Sequence, residues 1–469
     1  MAKDDVRDAK RQLGEEGEEG EGPYERKDVS YFQYYSLLSH QAQMLQDAVR
    51  TSAYQRAIMS NAPEWFREKV VIDVGAGNGI LSIFSVQAGA KKVYAVEASN
   101  MVQRLQHLVD AANKEVSCDA PNEWLSGKIK PVHAKMEDVT SKDHLDGNQH
   151  CDTLISECLG VLLVHERMCE SFLDARDRFL KPGGAIFPSA GTICLAPMED
   201  KLVWDEVATK ARFWDNRNFY GIDMTPFSEA AWDEAFSSPV VGCFGPLILL
   251  SPSNDYDIDF ATISRENLMR FEMPLDFEIN QTAVVHGLAG WFDLHFVPPA
   301  SSSSASRKLS SSDANGDETM ATELDGDDIA GLKKPGPSAE EAYGGLSGHA
   351  SAFEPSTSTN VDQLTAASAL ETLTSAAAGS QSTTYMSTSP YSTPTHWQQV
   401  RFLFREPLAV NKGQRIQGKI LCEVNEFRSY TLNGVVSING TDDALLTRKC
   451  HWRLDRQVYS WTSASPASQ

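Results

Sequence analysis

Two glutamates stand nine residues apart in the segment Ile155-Ser-Glu157-Cys-Leu-Gly160-Val-Leu-Leu-Val-His-Glu166, with a glycine between them. If that segment folds back on itself, the two carboxylates face each other, and an ionised pair repels unless a cation sits between its members. The planar cation that two carboxylates grip through paired hydrogen bonds is a guanidinium. Plain surface charge is the other reading of two loop glutamates. A second motif is Val71-Ile-Asp73-Val-Gly75-Ala-Gly77-Asn-Gly79-Ile80, an apolar run into a glycine-rich turn. Glycines let a backbone approach a ligand closely. Glu97, twenty-two residues after Gly75, closes a second apolar run, where a carboxylate can hold two ribose hydroxyls. The spacing is GxGxG, and Asp73 precedes it. An aspartate there repels a pyrophosphate seated on a helix N-terminus, but tolerates the sulfonium and amino group of S-adenosylmethionine. Packing is the alternative reason for such glycines.

These residues need a frame. Residues 41–60 carry apolar side chains at helical spacing, 70–74 read as a short strand, 80–88 as a helix and 92–96 as a second strand. A helix at 101–113, a strand at 129–133 and an apolar strand ending at Ile155 follow. Alternating strands and helices make a parallel sheet covered on both faces. The two-glutamate loop then lies at the sheet's carboxyl edge, beside the glycine turn. After Pro188 the pattern changes to strands, at 192–197, 283–296, 397–404, 415–424 and 430–438, with Asn411 and Gly413, then Asn433 and Gly434, marking breaks. A mostly antiparallel barrel or sandwich fits these. Between the two patterns, 201–238 reads as helical and rich in aromatic residues, either an interface arm or a contributor to the β core.

The chain has 469 residues, room for two or three folded units. Lys and Arg number 42 against 64 Asp and Glu, a net charge of −22, which argues against gripping nucleic acid. Residues 1–29 hold ten acids and six bases and read as a solvated tail. Residues 299–394 are dominated by Ser, Thr, Ala and Gly and read as a disordered acidic insertion, inert or tethering; 461–469 read as a second tail. Eight cysteines without a CxxC pair point to a reduced protein with free thiols and no structural metal. No stretch is apolar enough to span a membrane, and the charged N-terminus does not read as a signal peptide.

Taken together, YFQYY (31–35), QAQMLQDAVRTSAYQRAI (41–58), VIDVGAGNGIL (71–81), VYAVEAS (93–99), the two-glutamate loop, VHGLAGWFDLHF (285–296) and THW (395–397) resemble the protein arginine methyltransferases. The likeness is strongest to the coactivator-associated, histone-methylating branch. It implies an α/β Rossmann-like S-adenosylmethionine-dependent domain over 30–190. It also implies a β-barrel domain over 191–298 and 395–460, with a dimerisation arm at 201–238 that forms a homodimer. By the same resemblance Tyr35, Gln41, Met44, Arg50, Gly75, Gly77, Glu97, Glu137 and Ser171 contact the cofactor. Arg50 pairs with the methionine carboxylate, Glu97 with the ribose and Glu137 with the adenine amine. Glu157 and Glu166 hold the substrate guanidinium, while Asp47 and His396 brace the site or take up the proton. On residue type alone, His396 reads as a satisfied structural histidine. The implied activity is type I: S-adenosylmethionine is converted to S-adenosylhomocysteine, and arginines of histone H3, other histones or RNA-binding proteins become monomethyl and asymmetric dimethyl arginine. A chromatin and transcription role in nucleus and cytoplasm goes with it, with no membrane or direct nucleic-acid partner. The alternatives are a monomethylating or symmetric enzyme, or an inactive scaffold. One departure stands out: Cys158-Leu159-Gly160-Val161 replaces the family's usual methionine and tyrosine.

Overall fold

Val71, Ile72 and Val74 are at most 1% exposed, as expected of a central strand covered on both faces. In the computed structural model, which describes residues 31–113, 122–299 and 384–460, that strand is β1 (Val70–Val74). It pairs in parallel with β2 (Lys92–Glu97) and β4 (Cys151–Ser156). β3 (Ile129–His133) and β5 (Leu180–Phe187) complete the order β3-β2-β1-β4-β5. The chain winds one way from β1 to β3 and the other way from β4 to β5, so the switch point lies between β1 and β4, where crevices form at the carboxyl ends.

Residues 31–35 are helical, and α1 (Leu38–Gln46) and α2 (Ala48–Ser60) follow. The single helix expected over 41–60 is in fact broken at Asp47. Asp47 is extended (φ −68°, ψ 92°), and its Oδ1 accepts the Arg50 amide at 2.9 Å, capping α2. Apolar periodicity continues across the break, which hid it. α3 (Ile80–Gln87), α4 (Met101–Asn113) and α5 (Met168–Phe179) are the crossover helices.

The antiparallel half has two sheets. β6 (Ala190–Met198), β7 (Val240–Val241), β8 (Asn254–Asp259), β10 (Ala283–Phe296), β11 (Thr384–Ser387), β12 (Val400–Val410) and β16 (Val458–Tyr459) form one. β9 (Arg270–Glu278), β13 (Arg415–Asn425), β14 (Ser429–Ile438) and β15 (Thr447–Arg453) form the other. β9 alternates buried and exposed residues along its whole length. The Trp452 ring of the second sheet meets Phe402 of the first at 5.3 Å, and its Nε1–H donates to the Leu403 carbonyl at 3.0 Å. The apolar core is continuous with that of the parallel half, as in the Tyr54–Phe296 ring contact at 5.0 Å.

Two expectations need correction, and a third divides between its two readings. Asn433 and Gly434 do not break the chain but sit inside β14, opposite Leu421 and Ile420 of β13. Buried Tyr430, Leu432 and Val436 carry the alternation across them. The stretch assigned to the insertion is structured from Thr384: β11 pairs with the end of β10, and Met386 is 3% exposed. Ser and Thr around it masked a strand of four residues. The arm (α6, Lys201–Arg212, and α7, Ser228–Ser237) divides its aromatics between both readings. The Trp204 indole donates to the Phe404 carbonyl and its ring packs on Phe236, whereas Phe213, Tyr220 and Phe227 are exposed. The tail at 1–29, the insertion up to 383 and the tail at 461–469 lie outside the described residues.

Candidate active site

The carboxyl ends of β1, β2 and β4 open into a cavity of about 310 Å³. Gly75, Gly77 and Gly79 all have left-handed φ (71°, 55° and 87°). At Gly79 a Cβ would fall 2.4 Å from the Leu105 side chain, so only glycine fits the turn into α3. Glu97 locks the loop from the next strand: its two carboxylate oxygens accept the amides of Gly77 and Ser99, each at 2.7 Å. Gln41 locks it from α1, accepting both the amide and the side-chain Nδ2 of Asn78. Gln41 Nε2 donates to the Tyr35 carbonyl at 3.0 Å, which ties the 31–35 segment to the loop. At another wall, Ser171 Oγ donates to Glu137 at 2.6 Å. Met44 and Arg50 line the same space, Met44 being 8% exposed. All nine expected cofactor residues therefore border one cavity.

Asp73 does not. It is fully buried under the loop, accepts Ser82 Oγ at 2.7 Å, and burial pushes its carboxyl up to about 7. Asp73 therefore does not face a sulfonium, contrary to the sequence expectation: its side chain braces α3.

The two-glutamate loop does fold back. Gly160 N–H donates to the Leu163 carbonyl, and Leu162, Leu163, Glu166 and Arg167 all hold left-handed φ. Four non-glycine residues in that region within six positions form a strained segment that its surroundings must hold. The surroundings are visible. Leu162 and Leu163 are at most 3% exposed, and they seat against Gly290 of β10 and Gly191 of β6, where a Cβ would approach within 2.8 and 2.7 Å. Barrel glycines are thus sockets for the loop. From this loop Glu157 and Glu166 both line the cavity.

Each glutamate has a partner. Arg50 Nη2 and Nε donate to Glu157 Oε2 at 2.7 and 3.2 Å. Tyr35 Oη donates to Glu166 Oε2 at 2.7 Å. Burial raises the Glu166 carboxyl to about 7, although hydrogen bonds from Tyr35 and Tyr31 oppose the shift. His396 and Asp47 do not line the cavity but meet beside it: the His396 Nδ1 and amide both contact Asp47 Oδ2 at 2.8 Å, and Asp47 in turn accepts the amide of Arg50, which does line it. Burial alone would raise Asp47, but the hydrogen bonds from His396 and the Arg50 amide hold it below the usual carboxylate range. His396 is thus an exposed histidine whose hydrogen bonds go to Asp47. Trp397 stacks beside it at 4.1 Å and donates to the Leu159 carbonyl, linking the 395–397 tripeptide to the glutamate loop.

Of the departing residues, Cys158 and Leu159 line the cavity. Val161 is 7% exposed and packs into the core. Sequence reasoning missed Tyr31 and Arg428. Arg428, from the turn between β13 and β14, lies 4.4 Å over the Tyr31 ring and lines the cavity. A single basic residue in a strand connection gives no local signal; only the tertiary fold brings it here.

Residues 189–313 and 367–439 match the arginine methyltransferase oligomerization subdomain, and 58–117 match the ribosomal protein L11 methyltransferase (PrmA) family. The chain is 35% identical over 402 residues to a probable histone-arginine methyltransferase CARM1 of Oryza sativa subsp. indica, covering 86% of this chain and 58% of that protein. It is 33% identical over 411 residues to histone-arginine methyltransferase CARMER of Drosophila persimilis, covering 88% and 59%. The chain thus spans under two thirds of the length of these relatives. Among solved structures, the Trypanosoma brucei PRMT1 enzyme-prozyme heterotetrameric complex with AdoHcy aligns with TM-score 0.61 at 21% identity, over 90% of this chain and 99% of that one. Arabidopsis thaliana protein arginine methyltransferase 10 aligns with TM-score 0.63 at 24% identity, over 90% and 100%. These two likenesses establish the fold.

Proposed function

The chain belongs to the protein arginine methyltransferases, and we propose that it methylates arginine side chains of proteins, histones among them, using S-adenosylmethionine. One observation carries the reading: Glu157 and Glu166 line the same cavity as the glycine loop and Glu97. On this reading, a nucleoside site and a guanidinium site adjoin in one cavity.

The residues present fit the cofactor. The cavity is at the lower end of the usual size for a small-molecule site, Glu97 supplies a carboxylate suited to ribose hydroxyls at the end of β2, and Arg50, now paired with Glu157, has a fork suited to a carboxylate. When bound, S-adenosylmethionine supplies an electrophilic methyl group on its sulfonium. The rest is the work of this chain. Arginine is a weak nucleophile because it stays protonated far above neutral pH and its lone pairs are delocalised. Glu157 and Glu166 bind the guanidinium, draw its charge toward the nitrogens they contact and aim the remaining nitrogen. Alignment of this kind contributes much of a displacement reaction's rate. The two carboxylates also offset the repulsion between guanidinium and sulfonium. The Asp47–His396 pair, hydrogen-bonded beside Arg50 but outside the cavity lining, braces the site or takes up the released proton.

We assign type I specificity, with Met44 crowding one side of the guanidinium, and a homodimer through the arm at 201–238. The oligomerization-subdomain match spans that arm, and Phe213, Tyr220 and Phe227 are exposed on it. A nuclear and cytoplasmic location suits histone and RNA-binding-protein substrates. The test is incubation with labelled S-adenosylmethionine and histone H3, followed by mass spectrometry of arginine products. Label transferred to arginine supports the reading; a folded, cofactor-binding protein that transfers none refutes it.

A further inference from the structure

Cys158 follows Glu157 directly, and Cys169 lies in the first turn of α5. Their Sγ atoms are 3.7 Å apart, and the Cys169 thiol also reaches the Cys158 carbonyl at 3.3 Å. Both side chains are buried, at 1% and 2% exposure, yet Cys158 borders the cofactor cavity while Cys169 lies behind it. The two sulfurs thus have an order: a small reagent in the cavity meets Cys158 first, and Cys169 is already beside it. We propose that Cys158 and Cys169 are an oxidation site, closing to a disulfide under peroxide and switching off the adjacent glutamate loop.

The chemistry balances with a hydroperoxide as the oxidant. The Cys158 sulfur attacks the O–O bond and becomes a sulfenic acid, and the peroxide leaves as alcohol or water. The Cys169 sulfur then displaces hydroxide from that sulfenic sulfur, the S–S bond forms, and the two thiol protons end on the leaving oxygens. Two thiols lose two electrons and the peroxide gains them. Burial holds the Cys158 thiol well above its ordinary pKa, so little thiolate is present and the first step is slow. Slow entry followed by an adjacent resolving thiol favours the disulfide over further oxidation.

Closure has a mechanical consequence. The sulfurs must shorten from 3.7 Å to about 2.05 Å. Cys158 is bonded to Glu157 on one side and to Leu159 on the other, and the Leu159 carbonyl accepts the Trp397 indole. Pulling Cys158 toward α5 therefore displaces the glutamate expected to bind substrate. It also predicts protection, because a nucleoside in the cavity covers the route to Cys158.

The test is timed exposure of the full chain to hydrogen peroxide, with and without S-adenosylhomocysteine, followed by alkylation and tryptic mass spectrometry. The expected product is residues 168–176 linked to the peptide ending at Arg167, two hydrogens lighter than the thiol pair, with fragmentation placing the bridge at Cys158. It should form more slowly with the nucleoside present. Turnover should be lost as the bridge forms and return with dithiothreitol. Cys169→Ser, compared with its own untreated sample, should keep its turnover through the same exposure. Sulfinic acid without a bridge, a bridge through Cys151, no protection by the nucleoside, or equal loss in Cys169→Ser overturns the proposal. The activity readout rests on the proposed methyl transfer. The bridge and its protection do not, so a protein that bridges yet never methylates fails the functional reading alone.

Discussion

Arg50, the residue expected to hold the cofactor's carboxylate, donates two hydrogen bonds to Glu157, the residue expected to hold the substrate. Both side chains are at most 10% exposed, so the pair is buried and each partner compensates the other. A carboxylate arriving at Arg50 competes with Glu157 for the same fork. With Arg50 and Glu157 in their proposed roles, cofactor occupancy would release Glu157 for a guanidinium and couple the two sites.

The first prediction follows from that bond. An arginine peptide should bind more tightly with S-adenosylhomocysteine present, by a factor of about five or more if the coupling is of ordinary size. Glu157→Gln should lose most turnover and most of this coupling while keeping the nucleoside affinity at least as high. Calorimetric titration of peptide and nucleoside, each with and without the other, measures it. Equal peptide affinity in both states rules the coupling out.

Glu166 carries the second prediction. Its carboxyl is raised from 4.5 to about 7 by burial, so the folded protein binds this proton more tightly than the unfolded chain. The stability it contributes is fully present below about pH 4.5 and is lost as pH rises to about 7. Above that, an ionised Glu166 is held at a cost on the order of 3 kcal/mol. Glu166→Gln, which resembles the protonated form, should therefore raise the melting temperature at pH 8 relative to the parent while abolishing most turnover. Peptide affinity in the parent should rise with pH through the same window. A melting-temperature difference that does not grow between pH 5 and pH 8 contradicts the burial argument.

Much of this site was legible because its chemistry lies in short, ordered motifs. The glycine turn, Glu97 and Glu157 each sit at the end of an apolar strand, and strand ends can be read from pattern; Glu166 follows on the same loop. What escaped was tertiary. Nothing local says that Gly191 and Gly290 are hollow to receive Leu163 and Leu162, or that Arg428 crosses from the other domain to cover Tyr31. Asp73 was misread for the complementary reason: its position beside the loop was clear, but the direction of its side chain depends on Ser82, nine residues away on α3. β11 escaped because a four-residue strand has too short a pattern to stand out from Ser- and Thr-rich surroundings.

The third prediction uses that strand. Phe296 of β10 pairs with Thr384 of β11, so residues 297–383 join two ends that already lie side by side. A short turn can make the same connection. Replacing 301–380 with a brief Gly/Ser bridge should leave the melting temperature and methylation of a peptide near those of the intact chain. Extending the deletion through Thr388 should be damaging. It removes the β11 ladder, buried Met386, and the Thr388 hydroxyl that bonds both the amide and the carbonyl of Phe292. Thermal melts of the two deletions separate these outcomes; equal stability would mean that β11 contributes nothing to the barrel.

The last prediction concerns the product. Met44 is buried in the cavity wall on α1, three residues before the Asp47 cap and on the same wall as Arg50. The proposed type I specificity requires that this thioether crowd one terminal nitrogen of a bound guanidinium while the other is presented to the methyl donor. On that proposal the nitrogen that receives the first methyl is presented again, and the expected product is asymmetric dimethylarginine. Val161 does not border the cavity, whereas Leu159 does, so the altered loop changes the wall chiefly through Leu159 and Cys158. Mass spectrometry distinguishes the products because asymmetric and symmetric dimethylarginine fragment differently. Asymmetric dimethylarginine should dominate at long reaction times, and Met44→Phe should reduce it relative to monomethylarginine by enlarging the group on the crowded side. Symmetric product as the main dimethylated species from the parent enzyme would overturn the type I assignment. A strict stop at monomethylarginine would place the limit at Cys158 and Leu159.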